Sequence, residues 1–140
     1  MAQQPALQDA RIELDGPLGA GKTTFVRHLL RALGATGRIK SPTYAVVEPY
    51  ELSTPAGQPL AVSHFDFYRF DDPREWEEAG FRDLFASAGL KLAEWPERAA
   101  DVLPVADLEV HIQTQADESR LVTCRPRTAT GEALLKDAIP

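Results

Sequence analysis

Apolar residues along the chain repeat with two different periods, and these predict strands that alternate with helices. A short stretch at 11–15 is typical of a strand. It precedes a segment, 24–33, whose apolar residues recur every three or four positions, as on one buried helix face. The same reasoning predicts strands at 44–52, 60–70, 90–94, 108–113 and 120–125, and helices at 72–80, 81–86, 96–101 and 131–139. This order favours a single α/β domain over residues 1–140, with three layers, a mixed and largely parallel central sheet and an antiparallel hairpin.

The loop between the first strand and the first helix matches the pattern G-x-x-x-x-G-K-[ST] at residues 16–23. Its glycines allow successive backbone N–H groups to point at a phosphate, and the following helix adds the positive end of its dipole. The strand-loop-helix setting is the one this motif requires. The sequence therefore predicts a domain of the P-loop NTPase type, with nucleotide contacts from Leu18, Gly19, Ala20, Gly21, Lys22, Thr23 and Thr24.

Two side chains of the loop carry its charge chemistry. Lys22 supplies a mobile positive charge for the β- and γ-phosphates of a nucleotide. The hydroxyl group of Thr23 is suited to ligate the magnesium ion that bridges those phosphates. Magnesium is therefore an expected cofactor.

Turnover also needs a carboxylate at a strand end, and two predicted strands offer one. Glu94 ends the apolar run 90–94, and Asp66 follows the apolar residues of 60–65. Each could instead be a solvated strand-end charge. Because His64, Asp66 and Tyr68 alternate onto one strand face, we expect His64 and Tyr68 to hold the Asp66 carboxylate; two ligands are too few for zinc.

Composition and charge narrow the possible partners. The net charge is −6, and residues 66–83 hold seven acids against three arginines, which argues against strong independent binding of RNA or DNA. The one cysteine, Cys124, excludes an internal disulfide. The sequence shows neither a signal peptide nor a long apolar run, so we expect a cytoplasmic protein with no membrane segment.

Four sets of residues together resemble the bacterial TsaE-like ATPases, which take part in making the threonylcarbamoyl modification of adenosine in tRNA. They occur in the family's order and cover roughly residues 12–115. The sets are 16–24, Ser41-Pro42-Thr43-Tyr44, His64-x-Asp66-x-Tyr68-Arg69 and Glu94-Trp95-Pro96-Glu97.

The resemblance implies ATP and magnesium as cofactors, with Thr23 and Glu94 as metal contacts. It also implies Asp66 as an important acid and Thr43 as part of a switch-like segment, so that Lys22, Thr43, Asp66 and Glu94 form the expected catalytic set. The implied activity is slow ATP hydrolysis within an assembly whose other proteins transfer the threonylcarbamoyl group to tRNA. This protein would then contact tRNA only indirectly.

Two alternatives and one departure accompany this resemblance. A small-molecule P-loop kinase would need an acceptor pocket and usually an arginine-rich lid, for which 125–127 is a weak candidate. An adaptor without turnover would have no need to retain Lys22, Thr23, Asp66 and Glu94. Only 15 residues precede Gly16, whereas the family usually carries a further strand and helix there, so either the chain is truncated or its recognition of adenine is reduced.

Overall fold

The computed structural model describes residues 9–37, 39, 46–53, 57–70, 74 and 80–136. The strands are β1 (Arg11–Asp15), β2 (Val47–Ser53), β3 (Pro59–Asp66), β4 (Leu90–Glu94), β5 (Leu108–Thr114) and β6 (Arg120–Pro126). The helices include α1 (Lys22–Ala32), α2 (Phe81–Ala86) and α3 (Ala129–Lys136), and a 3₁₀ helix spans Pro96–Ala99.

All six strands form one sheet in the order β2-β3-β4-β1-β5-β6. The neighbours β3, β4, β1 and β5 are parallel, whereas β2 and β6 pair antiparallel with β3 and β5 at the two edges. The predicted mixed, largely parallel sheet and its hairpin are thus confirmed. Because parallel strands end at the same edge of a sheet, β1, β3 and β4 deliver their last residues to one place.

Helices α1 and α3 cover one face of the sheet. Ile12 of β1 and Leu92 of β4 are fully buried there against Leu30 of α1 and Leu134 of α3. The α1 residues in this contact recur with the helical period seen in the sequence. Each fully buried aliphatic side chain contributes about 1.5–3 kcal/mol relative to an exposed one, so this face anchors α1 firmly to β1 and β4.

The opposite face is covered at β3 and β4 by α2 and the 3₁₀ helix. Phe65 of β3 packs against Phe81 and Phe85 of α2, with ring centroids 5.9 and 4.5 Å apart. Such pairs add about 0.5–1.5 kcal/mol each to the free energy gained by burial. Because both faces of the sheet are covered here, all five residues of β4 are buried, including its last residue, Glu94.

Several element ends differ from the sequence predictions. The strand predicted to reach residue 70 ends at Asp66. The Phe67 N–H still bonds to the Glu94 carbonyl of β4, and the chain then turns, with the Phe70 N–H bonded to the Phe67 carbonyl. Helix α1 begins at Lys22 rather than at 24. Most of the predicted helix 72–80, and 137–139 of the last one, lie outside the described residues. Within the described ranges no helix has the length and apolarity to cross a membrane.

Candidate functional site

The predicted phosphate loop connects β1 to α1 at the shared carboxyl edge of the sheet. Two of its glycines meet conditions that a side chain would not tolerate. A Cβ atom on Gly16 would lie 2.5 Å from the Ile112 carbonyl oxygen of β5, which is too close for any real contact. Gly21, the residue immediately before α1, has a φ of 108°, in the left-handed region that L side chains avoid. The loop can therefore pass close to β5 and enter the helix in one tight turn.

Lys22 is the first residue of α1, and its side chain folds back over the loop. The residue is only 5% exposed, and its Nζ donates a hydrogen bond of 2.6 Å to the Gly16 carbonyl. The same Nζ lies 3.4 Å from the centroid of the Trp95 ring, a cation–π contact. Burial lowers the pKa of Lys22, and the nearby Glu94 carboxylate opposes that shift. The ammonium group is thus held at the loop by an uncharged carbonyl and an aromatic ring, which a charged phosphate could replace.

Thr23 and Glu94 meet beside Lys22. The Thr23 hydroxyl donates a hydrogen bond of 2.8 Å to Glu94 Oε1, across 71 positions of sequence. Glu94 reaches this point because it ends β4 directly beside Leu14, near the end of β1. Two oxygen-bearing side chains of the kind that magnesium prefers are therefore adjacent at the entrance to α1. The structure brings together the two predicted metal contacts.

His64 fixes the other oxygen of the same carboxylate. Its Nε2 lies 2.6 Å from Glu94 Oε2, and the exposed fractions of the two residues are 1% and 2%. A carboxylate oxygen accepts, so we assign the ring proton in this contact to Nε2, which donates to Glu94. Among the described residues no group forms a hydrogen bond with the buried Nδ1 atom of His64. The prediction that His64 holds Asp66 is wrong. The register of β3 on β4 pairs His64 with Leu92, and its ring reaches the carboxylate two positions further along the same face.

Asp66 lies directly beside Glu94 in the register of β3 and β4. Its Oδ1 accepts a 3.0 Å hydrogen bond from the Tyr68 backbone N–H. Tyr68 therefore contacts Asp66, as predicted, but through its main chain, since the strand has already ended. Burial raises the pKa of Asp66, the Tyr68 N–H opposes that shift, and the nearby Glu94 carboxylate adds to it. Two acids thus stand side by side at the end of the sheet.

Aromatic residues form the outer wall of this region. Trp95 follows Glu94 with a φ of 57°, an uncommon left-handed conformation for a residue with a side chain. Its ring lies under the Lys22 ammonium group and 5.0 Å from the Tyr68 ring. The Arg98 guanidinium lies 5.5 Å from the centroid of the Tyr68 ring on its outer side. Backbone strain of this kind is commonly found where a side chain is aimed at a functional group.

Arg120, at the start of β6, also contacts the loop, and sequence reasoning missed it. Its Nε donates a 2.8 Å hydrogen bond to the Ala20 carbonyl, 100 positions away. The available signal was the hairpin itself, because β5 runs parallel to β1 and must turn at the edge where the phosphate loop lies.

Three further residues of the predicted site are Leu18, Thr24 and Thr43. Leu18 is 76% exposed in the loop. Thr24 is exposed on α1. Thr43 lies outside the described residues.

A cleft of about 650 Å³ lies on the sheet face opposite α1 and is separate from the phosphate loop. Its floor includes Glu13 and Glu109, and its wall is formed by 96–106. Because alternate residues of a strand point to opposite faces, Glu13 faces away from the side of the sheet that bears Lys22 and Glu94.

Comparison with known proteins identifies relatives over most of the chain. The family model described as "Threonylcarbamoyl adenosine biosynthesis protein TsaE" matches residues 1–122. The tRNA threonylcarbamoyladenosine biosynthesis protein TsaE of Haemophilus influenzae is 40% identical over 124 residues, which are 89% of this chain and 75% of that protein. The protein of the same name from Bacillus subtilis is 34% identical over 112 residues, which are 80% and 66% of the two chains.

A solved structure is also similar to this chain over most of its length. The crystal structure of YdiB from Bacillus subtilis superposes with a TM-score of 0.71 at 28% identity, covering 97% of this chain and 82% of that one. The matches in sequence and in structure agree with the resemblance drawn from the motifs, and they give no support to the kinase alternative.

Proposed function

Because the chain belongs to the TsaE family, we propose that it binds and hydrolyses magnesium-ATP as a component of the machinery that forms threonylcarbamoyladenosine in tRNA. In this proposal it acts as a motor or regulator of the proteins that carry out the transfer. The observation that carries the proposal is the contact between Thr23 and Glu94 at the base of the phosphate loop, 2.8 Å apart.

The loop and the start of α1 fit the phosphate chain of ATP. The backbone N–H groups of 21–23 and the N-terminal end of the α1 dipole offer a site for an anion. Lys22 would exchange the neutral Gly16 carbonyl, now 2.6 Å from its Nζ, for a charged phosphate oxygen. The negative charge of the phosphate oxygen adds Coulomb attraction to the ammonium group that a neutral carbonyl does not provide, which favours that exchange.

Thr23 and Glu94 fit a magnesium ion. Both present oxygen atoms, and magnesium commonly uses only one or two protein groups together with phosphates and water. When bound, the ion would neutralise negative charge on the phosphates. His64 would keep one oxygen of Glu94 occupied, so that the other stays directed toward Thr23.

Asp66 is suited to orient a water molecule for attack. It stands beside Glu94 but its Oδ1 is engaged by the Tyr68 N–H rather than by Thr23. A carboxylate held this way can accept a hydrogen bond from water without joining the metal shell. In this proposal Glu94 binds the metal ion and Asp66 orients the water molecule.

The surrounding charge is consistent with protein partners that hold the tRNA. A net charge of −6 disfavours direct contact with a phosphate backbone. The partners would therefore be the other proteins of the threonylcarbamoyl-transferase assembly, and the expected compartment is the cytoplasm.

An ATPase assay with and without those partner proteins tests the proposal. We expect weak hydrolysis by the isolated chain, dependent on magnesium, and faster hydrolysis when the partners are added. Hydrolysis that is unchanged by the partners, together with efficient phosphorylation of a metabolite, would instead favour a kinase.

Two variants make the assay specific to the site. Lys22→Ala should abolish hydrolysis, because it deletes the charge that offsets the phosphates. Arg27→Ala removes a positive charge from an exposed position of the same helix and should leave the rate unchanged. Equal rates for the wild-type chain and Lys22→Ala would show that hydrolysis occurs elsewhere.

A further inference from the structure

Arg120 uses two of its donors on main-chain carbonyls. Its Nε bonds to the Ala20 carbonyl at 2.8 Å, and its Nη1 bonds to the Glu118 carbonyl at 2.8 Å. The first contact is in the phosphate loop and the second is in the turn between β5 and β6. The guanidinium group therefore ties the hairpin to the loop in a fixed geometry, because its donors are coplanar.

The Ala20 carbonyl is a sensitive point of the loop. It belongs to the same planar peptide unit as the Gly21 N–H, and in a trans peptide the two groups point in opposite directions. The preceding N–H, that of Ala20, is bonded to the Pro17 carbonyl at 3.1 Å. By holding the Ala20 carbonyl, Arg120 therefore also fixes the direction of the Gly21 N–H, which points away from the guanidinium group.

Neighbouring glycines make this restraint necessary. Gly19 and Gly21 have φ angles of 82° and 108°, and glycine gives the backbone more rotational freedom than any other residue. A Cβ atom on Gly21 would lie 3.9 Å from Arg120 Nε, so the guanidinium group is adjacent to the peptide that must be fixed. Its charge also polarises that peptide, which makes the N–H a stronger donor.

We propose that Arg120 is a positioning residue of the nucleotide site, holding the peptide between Ala20 and Gly21 so that the Gly21 N–H faces a bound phosphate. This role rests on the proposed binding of ATP at the loop. Arg120 itself does not touch the nucleotide in this proposal, and it acts on affinity through the main chain of the loop.

Steady-state hydrolysis and ADP binding by three variants test this role. Arg120→Met keeps most of the side chain's length and apolar stem but removes both hydrogen bonds and the charge. We expect the KM for ATP and the Kd for ADP to rise about tenfold, the lower end of the range for a charged hydrogen bond that is partly exposed, with kcat changed less than about twofold. Arg120→Lys keeps the charge but has a single donor nitrogen, so it should recover part of the lost affinity for nucleotide.

The control is Arg125→Ala, which removes a positive charge from an exposed position of the same strand. Its side chain faces the cleft on the other side of the sheet, so KM and Kd should remain those of the wild-type chain. The free energy of unfolding in urea is measured for each variant, and kinetics are recorded at a temperature where circular dichroism shows the variant folded.

A direct readout is the amide resonance of Gly21 in nitrogen–proton correlation spectra without nucleotide. Arg120→Met should shift this resonance more than Arg125→Ala does, because it releases the peptide that carries the N–H.

If Arg120→Met has wild-type KM and Kd, or only a lower free energy of unfolding, the positioning role is overturned while the proposed function stands. If the wild-type chain itself neither binds ADP nor hydrolyses ATP, the proposed function has failed instead.

Discussion

The carboxyl group of Glu13 should make the free energy of unfolding depend on pH. Glu13 lies on β1 between Glu109 of β5 and Ala93 of β4, with its side chain in the cleft opposite α1. Burial, followed by the nearby carboxylates of Glu109 and Glu97, raises the pKa of Glu13 from 4.5 to about 7. At pH values between 4.5 and about 7 the folded chain therefore retains a proton on Glu13 that the unfolded chain has lost.

The sign of the effect on stability follows from this difference. Between pH 4.5 and 7 the folded state binds more protons at Glu13 than the unfolded state does, so the free energy of unfolding falls as the pH rises. The shift in pKa corresponds to at most about 3.4 kcal/mol above pH 7. Partial exposure of the side chain to water screens the carboxylate, and we expect about 1–2 kcal/mol.

Urea denaturation of the wild-type chain and of Glu13→Gln at pH 5 and pH 8 measures this effect. The variant cannot ionise, so the two proteins should be nearly equal at pH 5 and the variant should be more stable by about 1–2 kcal/mol at pH 8. Glu51→Gln, at an exposed position of β2, is the matched control and should follow the wild-type chain. A difference between wild type and Glu13→Gln that is the same at both pH values would refute the reasoning.

Two further substitutions test the site and the packing. Glu94→Gln replaces an oxygen that accepts from His64 or Thr23 by a donor and removes the charge proposed to bind magnesium, so the kcat of the proposed hydrolysis should fall on the order of 100-fold or more. An unchanged kcat would show that Glu94 has no part in the reaction. Gly131→Ala places a Cβ atom against the Asp107 carbonyl, just before β5. Thermal denaturation should show that the free energy of unfolding falls by about 1–3 kcal/mol, whereas Glu132→Ala, at an exposed position of α3, is the control. A melting temperature for Gly131→Ala equal to that of the control would contradict the close packing of α3.

The parts of the site that depend on local chemistry could be predicted from the sequence. The phosphate loop carries its own geometry in its glycines, and an apolar run that ends in Glu94 identifies a buried strand with a carboxylate at its end. The structure brings these two segments together as the α/β pattern requires, since β1 and β4 are parallel neighbours.

Interactions that depend on register and on distant segments could not be predicted in the same way. His64 was expected to hold Asp66, two positions away on its own strand, but the pairing of β3 with β4 brings its ring to Glu94 instead. The strand predicted through residue 70 stops at Asp66 because Phe67 and Phe70 pack edge to face across a turn, with centroids 5.5 Å apart. Alternation of residue types alone does not contain that tertiary contact.

Arg120 shows the same limit over a longer distance. The hairpin predicted from the sequence does not by itself place Arg120 at the phosphate loop. The contact of Arg120 with Ala20 also depends on the length of the β5–β6 hairpin and on the position of β5 beside β1.

Isothermal titration calorimetry with ATP, in the presence and absence of magnesium, tests the central claim that this chain holds magnesium-ATP at the loop between β1 and α1. We expect one binding site for the wild-type chain, with tighter affinity when magnesium is present. Binding should be lost in Lys22→Ala and unchanged in Arg27→Ala. Absence of binding to the wild-type chain, or equal affinity for the wild-type chain and Lys22→Ala, would contradict it.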